Sequence, residues 1–246
     1  MKKLLLLLLG VLIALPSVAR DFTYEYEGQT ITYTVIDEET KTCMTKGAYY
    51  DNGMIVPNTV SGDLVLPANP KDGNTVFTLV EIGSNTFQNC TELISIVIPN
   101  SVTSISYGAF YKCSNLTSIE IPNSVTSIGN SAFRYCSSLT SLTAVDGDTT
   151  LAFEKDALKD APIKTLYMGR DWTYTESAAI STSLISVTIG NQVKSIPNEA
   201  FAGSRGLTSV EIPNSVTSIG PWAFAGCGSL TSIEIPNSVI SIGDHA

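Results

Sequence analysis

A block of 23 residues recurs along this chain, and it constrains the fold more than any other feature. Residues 93–115 read LISIVIPNSVTSISYGAFYKCSN, and residues 116–138 read LTSIEIPNSVTSIGNSAFRYCSS. Residues 184–206 and 207–229 repeat the pattern, and Leu230 begins it again before Ala246. The stretch 139–183 is close to two units long and should hold two degenerate copies. A partial copy with an insertion runs from Leu64 to Cys90. That makes about eight coils. A fixed period of this length marks a solenoid, in which each unit buries its apolar face only against its neighbours.

One unit shows how. Leu116, Ile119 and Ile121 are apolar, with Ser118 and Glu120 between them. Alternation of this kind marks a strand with one buried face. Pro122-Asn123 ends it, because Pro cannot donate to a ladder and favours a turn. Val125 and Ile128 turn inward over a second short extended piece. Ala132 and Phe133 then begin a short helical or irregular return, with Phe133 filling the coil interior. Stacked units convert these positions into ladders of Leu, Ile, Val and Phe.

The pattern L-x-x-I-x-I-P-x-S-V-x-S-I-G-x-x-A-F-x-x-C is similar to the leucine-rich repeats of the BspA type, which occur in secreted and surface proteins of Bacteroidetes, treponemes and some protists. The resemblance covers about Leu64 to Ala246. It implies a right-handed leucine-rich-repeat solenoid, a horseshoe or superhelix, used for binding or adhesion and without catalytic residues. Residues 139–183, Ser204 in place of Cys and Gly190 in place of Pro depart from the pattern.

Two segments precede the repeats. Met1-Lys2-Lys3, the apolar run from Leu4 to Leu15, Pro16 and the small residues Ser17 and Ala19 read as a secretory signal peptide over 1–19. The run is too short for a membrane span, which needs about 20 apolar residues. The chain is therefore expected to be secreted or at the cell surface, with the periplasm as a further destination. In 20–61, Phe22, Tyr24 and Tyr26 alternate with polar residues, and so do Ile31, Tyr33 and Val35. This is a β-hairpin signal, with a third strand from Thr40 to Lys46. It reads as a cap on the solenoid 62–246; a separate sugar-binding hairpin is the alternative.

Composition removes several function classes. Fourteen basic residues stand against 23 acidic ones, a net charge of −9, which argues against a nucleic-acid footprint of clustered Lys and Arg. The one His, His245, is second from the end, so no internal imidazole is available to activate a serine. No enzyme is expected. Cys90, Cys113, Cys136 and Cys227 share one repeat position and read as a ladder of buried thiols; zinc needs close pairs and convergent ligands. Asp146-Gly147-Asp148 resembles a fragment of a calcium loop but lacks the rest of the ligand pattern. No metal and no cofactor is expected.

The candidate ligand-binding residues are the outward positions of the first strand and the irregular aromatics. Ser118, Ser209 and Ser232 form one column, and Glu120, Glu211 and Glu234 another, with Glu211 and Glu234 as direct neighbours. Trp172 and Tyr174 form a candidate exposed aromatic patch in the degenerate coils. The expected partner is a protein or glycan on a host or cell surface, and the alternative role is a structural segment of a longer surface protein. Asn100, Asn123, Asn191, Asn214 and Asn237 are expected to bond turn backbone. The last unit looks cut short, which predicts either a continuation or end-to-end docking there.

Overall fold

The structure, a computed structural model, describes residues 20–47, 49–51, 54–56, 60–175 and 180–246. The signal-peptide reading of 1–19 lies outside them. The repeats form a β-solenoid of seven full turns and a partial eighth, over residues 62–92, 93–115, 116–138, 139–162, 163–183, 184–206, 207–229 and 230–246. The regular coils carry a front strand, a turn, a short second strand and a return.

The front strands Ser118–Ile121, Ser141–Ala144, Thr165–Met168 and Ser186–Ile189 pair in parallel and in register. The alternation seen in the sequence sets their faces. Ile119 and Ile121 are buried, and Ser118 and Glu120 are exposed. The turn that follows is closed by backbone: Val125 N–H donates to the Pro122 carbonyl at 3.1 Å, and Val102, Val216 and Val239 repeat the bond to their own prolines. The Asn column expected to close it is not what does so.

Second strands stack on the adjacent face. Thr78–Ile82, Ser104–Ile105, Ser127–Ile128, Leu151–Phe153 and Trp172–Tyr174 extend one sheet, and Ser195–Ile196, Ser218–Ile219 and Ser241–Ile242 form another. Where the two sheets part, the Asp171 carboxylate accepts the N–H groups of Lys194 at 2.7 Å and Ser195 at 2.9 Å. A side chain thus supplies the acceptors that a neighbouring strand supplies elsewhere.

No helix forms in the returns among the described residues. Two positions per return, four apart, have left-handed backbone: Ser131 and Tyr135 (φ 57° and 62°), then Asp156 and Asp160 (57° and 61°). A right-handed helix cannot propagate through them. The return N–H groups donate to the next coil, as Phe110 does to Ala132 and Phe133 to Ala157, both at 2.8 Å. Of the two forms of return expected, the irregular one is present.

The core is one continuous stack. Phe87, Phe110 and Phe133 stack with ring centres 5.3 and 5.0 Å apart, and Phe201 and Phe224 lie 5.2 Å apart. Offset stacking of this kind adds about 0.5–1.5 kcal/mol per pair to burial. At the N-terminal end, strands Asp21–Tyr26 and Gln29–Asp37 form the antiparallel hairpin, and Thr42–Thr45 joins it to Thr78–Ile82 in parallel. The hairpin therefore continues the solenoid sheet. Phe22 is buried at its end and packs on both Tyr33 and Phe77, with ring centres 5.3 and 5.2 Å away.

All five cysteines are free and buried. Cys113, Cys136 and Cys227 donate Sγ–H to the carbonyls of Phe87, Phe110 and Phe201 at 3.1–3.2 Å. Ser204 takes the same position and donates its hydroxyl to the Ser181 carbonyl at 3.0 Å, so a bond to the preceding coil is kept, one residue beyond the ladder position. Burial pushes the Cys43 and Cys136 thiols up to about 12 from an ordinary 9.0. The folded chain thus holds protons that the unfolded chain loses above pH 9. The thiols' contribution is complete below about pH 9 and is lost as pH rises toward 12. A pH series of thermal melts should show falling stability across that window. A thiol reagent at neutral pH should label the native chain slowly and all five cysteines after denaturation.

Gly190 stands where most repeats have Pro. Its N–H donates to the Met168 carbonyl at 2.8 Å. A Cβ there would lie 2.7 Å from Asp146 Oδ1 and 3.0 Å from the Gly169 Cα. Gly190→Pro restores the repeat pattern but deletes a ladder bond and crowds two coils. It is expected to cost about 2–3 kcal/mol, read as a lower midpoint in a circular-dichroism melt.

Candidate functional site

The front face carries six of the eight residues expected from the sequence. Ser118, Glu120, Ser209, Glu211, Ser232 and Glu234 are all exposed. Strict register makes the columns continuous over coils three to six: Ser118 stands opposite Ser141, which faces Thr165, which faces Ser186. The neighbouring column runs Glu120, Thr143, Tyr167, Thr188. Glu120 is therefore remote from the other two glutamates. Glu211 and Glu234 are direct neighbours in a parallel bridge. Like charges side by side on a sheet destabilise it slightly, and they favour a basic partner.

The sheet is interrupted between coils six and seven. Ser186–Ile189 is the last strand of the front sheet, and residues 207–212 form no strand beside it. A polar groove of about 360 Å³ opens there, lined by Ser186, Thr188, Asn191, Ser209 and Glu211 among others. Two expected residues thus share a groove with main-chain groups of an unpaired strand edge, which can bond a ligand.

Trp172 and Tyr174 are not an exposed patch. Trp172 is 3% exposed, with its ring 4.8 Å from Phe153, and Tyr174 stacks on Phe153 at 5.8 Å. The Tyr174 hydroxyl is sealed from solvent without a hydrogen-bond partner, and burial raises its pKa. The cause is packing. Phe153 and Tyr174 occupy the second-strand position that Ile128 holds in coil three, and these larger rings help fill a region where the phenylalanine ladder is broken. The Asp146-Gly147-Asp148 segment is irregular chain between the strands Ser141–Ala144 and Leu151–Phe153, and its Asp146 carboxylate accepts the Tyr167 hydroxyl at 2.7 Å.

Besides the groove, two features escaped the sequence reading. Arg170 is fully buried and donates to the carbonyls of Pro122 and Asn123, both at 2.8 Å. Tyr111 and Tyr135 meet edge to face at 5.5 Å on the return side. The signal for the tyrosines was available: they fill the variable positions between Phe and Cys in two successive copies.

The model for the BspA-type leucine-rich-repeat region matches residues 74–183 and 174–246, in six copies. The chain belongs to this family. A leucine-rich-repeat protein from Bacteroides ovatus is similar in structure, with 28% identity, a TM-score of 0.63 and a match over 88% of this chain. The chain spans about half of that protein's length (54%). The Treponema pallidum leucine-rich-repeat protein matches 82% of this chain and 88% of its own length, at 20% identity and a TM-score of 0.49. No curated protein matches the chain. BspA-type repeat proteins are generally non-catalytic and are typically extracellular or surface-associated. No helix among the described residues is long and apolar enough to cross a membrane.

Proposed function

We propose that this BspA-type repeat chain is an exported binding and adhesion module, which recognises a protein or glycan on a host or cell surface through its front face and performs no catalysis. The observation that carries this reading is the polar groove between coils six and seven, flanked by the Glu211–Glu234 pair and continuous with the exposed Ser and Thr columns. Such a surface is preformed, so binding costs little ordering entropy. Its adjacent carboxylates select basic groups and speed encounter. The basic start and apolar run of 1–19 support export.

A capture screen of the secreted chain on immobilised matrix proteins and glycans tests it. The Glu211→Lys, Glu234→Lys double variant should reduce capture about tenfold or more at low salt and less at high salt. Unchanged capture would remove the front face. The competing role, a structural segment of a longer surface protein, predicts no capture by either form.

A further inference from the structure

We propose that the return face of coils three to five holds a second site, one that takes a neutral saccharide. It rests on the reading of this chain as a binding protein but not on the front face. A cavity of about 590 Å³ opens there, within the usual range of about 300–1,000 Å³ for small-ligand sites. Its cause is readable in the coils. Phe110 and Phe133 donate their N–H groups to Ala132 and Ala157 of the following coils. Leu158, next after Ala157, therefore stands where the ladder would place its next phenylalanine. Ile180 donates to Ala200 in the same way and occupies the ladder position of coil five. Two smaller side chains in succession leave the space, with Phe153 behind them.

The rim is polar, and its carboxylates are Glu154, Asp156 and Asp160. Asp156 is 3.4 Å from both Arg134 and Lys159, and Asp160 is 3.7 Å from Arg134. Ser137 and Thr182 add hydroxyl groups. A cation finds Asp156 and Asp160 already paired and Glu154 bonded to the Asn130 N–H at 3.0 Å, and an anion meets all three carboxylates. A wholly apolar ligand would strip water from the rim without replacing its hydrogen bonds.

Tyr135 stands beside the cavity, outside its lining. Its N–H donates to the Lys159 carbonyl of the rim at 3.2 Å, and its side chain is 38% exposed. The Arg134 guanidinium lies 4.8 Å from its ring, and Tyr111 meets it one coil away. An exposed aromatic shelf beside a hydroxyl- and carboxylate-rimmed cavity with an apolar floor suits a ring that has one C–H face and many hydroxyls. A pyranose has both.

The test uses the whole chain and four free disaccharides: maltose, cellobiose, lactose and N,N′-diacetylchitobiose, each titrated by calorimetry and by NMR. At least one should bind with a Kd below about 10 mM. Tyr135→Ala should weaken it about tenfold. Leu158→Phe, which extends the ladder into the cavity, should abolish it while leaving the fold intact or more stable. Because the probe is a free disaccharide and not a captured surface, failure here is separate from failure of the front-face screen. Two results would overturn the proposal: none of the four sugars binding below about 10 mM, or a Kd unchanged in both variants. Binding of a peptide in the cavity with no sugar bound would also overturn it.

Discussion

Arg170→Ala is expected to lower the unfolding free energy by about 3–5 kcal/mol, more than any surface change in this chain. The guanidinium is fully buried, donates to the Pro122 and Asn123 carbonyls and the Thr149 hydroxyl, and makes no ion pair among the described residues. Burial pulls its pKa below the ordinary arginine value. Removing it takes the charged donor from two carbonyls of the coil-three turn, which keep only the Val125 N–H and the Thr149 hydroxyl, and leaves a void. Each hydrogen bond to a charged group is worth about 1.5–3 kcal/mol. For a chain of this size the loss should appear as a fall of about 10 °C in melting temperature. Arg170→Lys should recover only part of it, because a single ammonium on a flexible stem lacks the planar fork that serves two carbonyls at once. Arg170→Met isolates the polar contribution, since it refills the volume but returns no hydrogen bond. A melt within 2 °C of the parent for Arg170→Met would mean that water replaces the arginine.

That residue also shows where sequence reasoning reached its end. The near-identical copies made the front strands, their burial alternation and the Phe and Cys ladders legible, because one pattern repeated at one spacing has one way to stack. Glu211 and Glu234 could be placed side by side from spacing alone. Coils four and five could not be read this way. The first is one residue longer than the consensus and the second two residues shorter, so position counting no longer says which side chain meets which. Trp172 looked like a surface aromatic only because its register was lost; in the folded chain it packs on Phe153. Arg170 falls after Gly169, where other copies place Pro-Asn, and nothing local announces that two carbonyls from coil three converge on it. The groove on the front face was hidden for a different reason. Residues 207–212 carry the consensus strand pattern, and their failure to pair with Ser186–Ile189 is a property of how the coils stack.

Phe133→Ala is the second large effect expected, and its form matters as much as its size. Phe133 is fully buried and lies parallel to Phe110, with ring centres 5.0 Å apart at 4°. Truncating a buried phenylalanine costs about 3–5 kcal/mol, the higher values where the site cannot collapse. Collapse is hindered here, because the next ladder residue is Leu158 beside an existing cavity. The same truncation at Phe224, which is only partly buried, should cost less, about 1–2 kcal/mol. A solenoid is stabilised coil by coil and interface by interface. The interface between coils three and four has the intact ladder and the N-terminal hairpin on one side and the two irregular coils on the other. Weakening it should uncouple the halves. Urea unfolding of the parent is expected as one transition, and that of Phe133→Ala as two, the later one belonging to the hairpin and coils one to three. A single transition with an unchanged slope and a lower midpoint would show that coupling between coils survives the break in the ladder. The irregular coils would then count as full members of the cooperative unit.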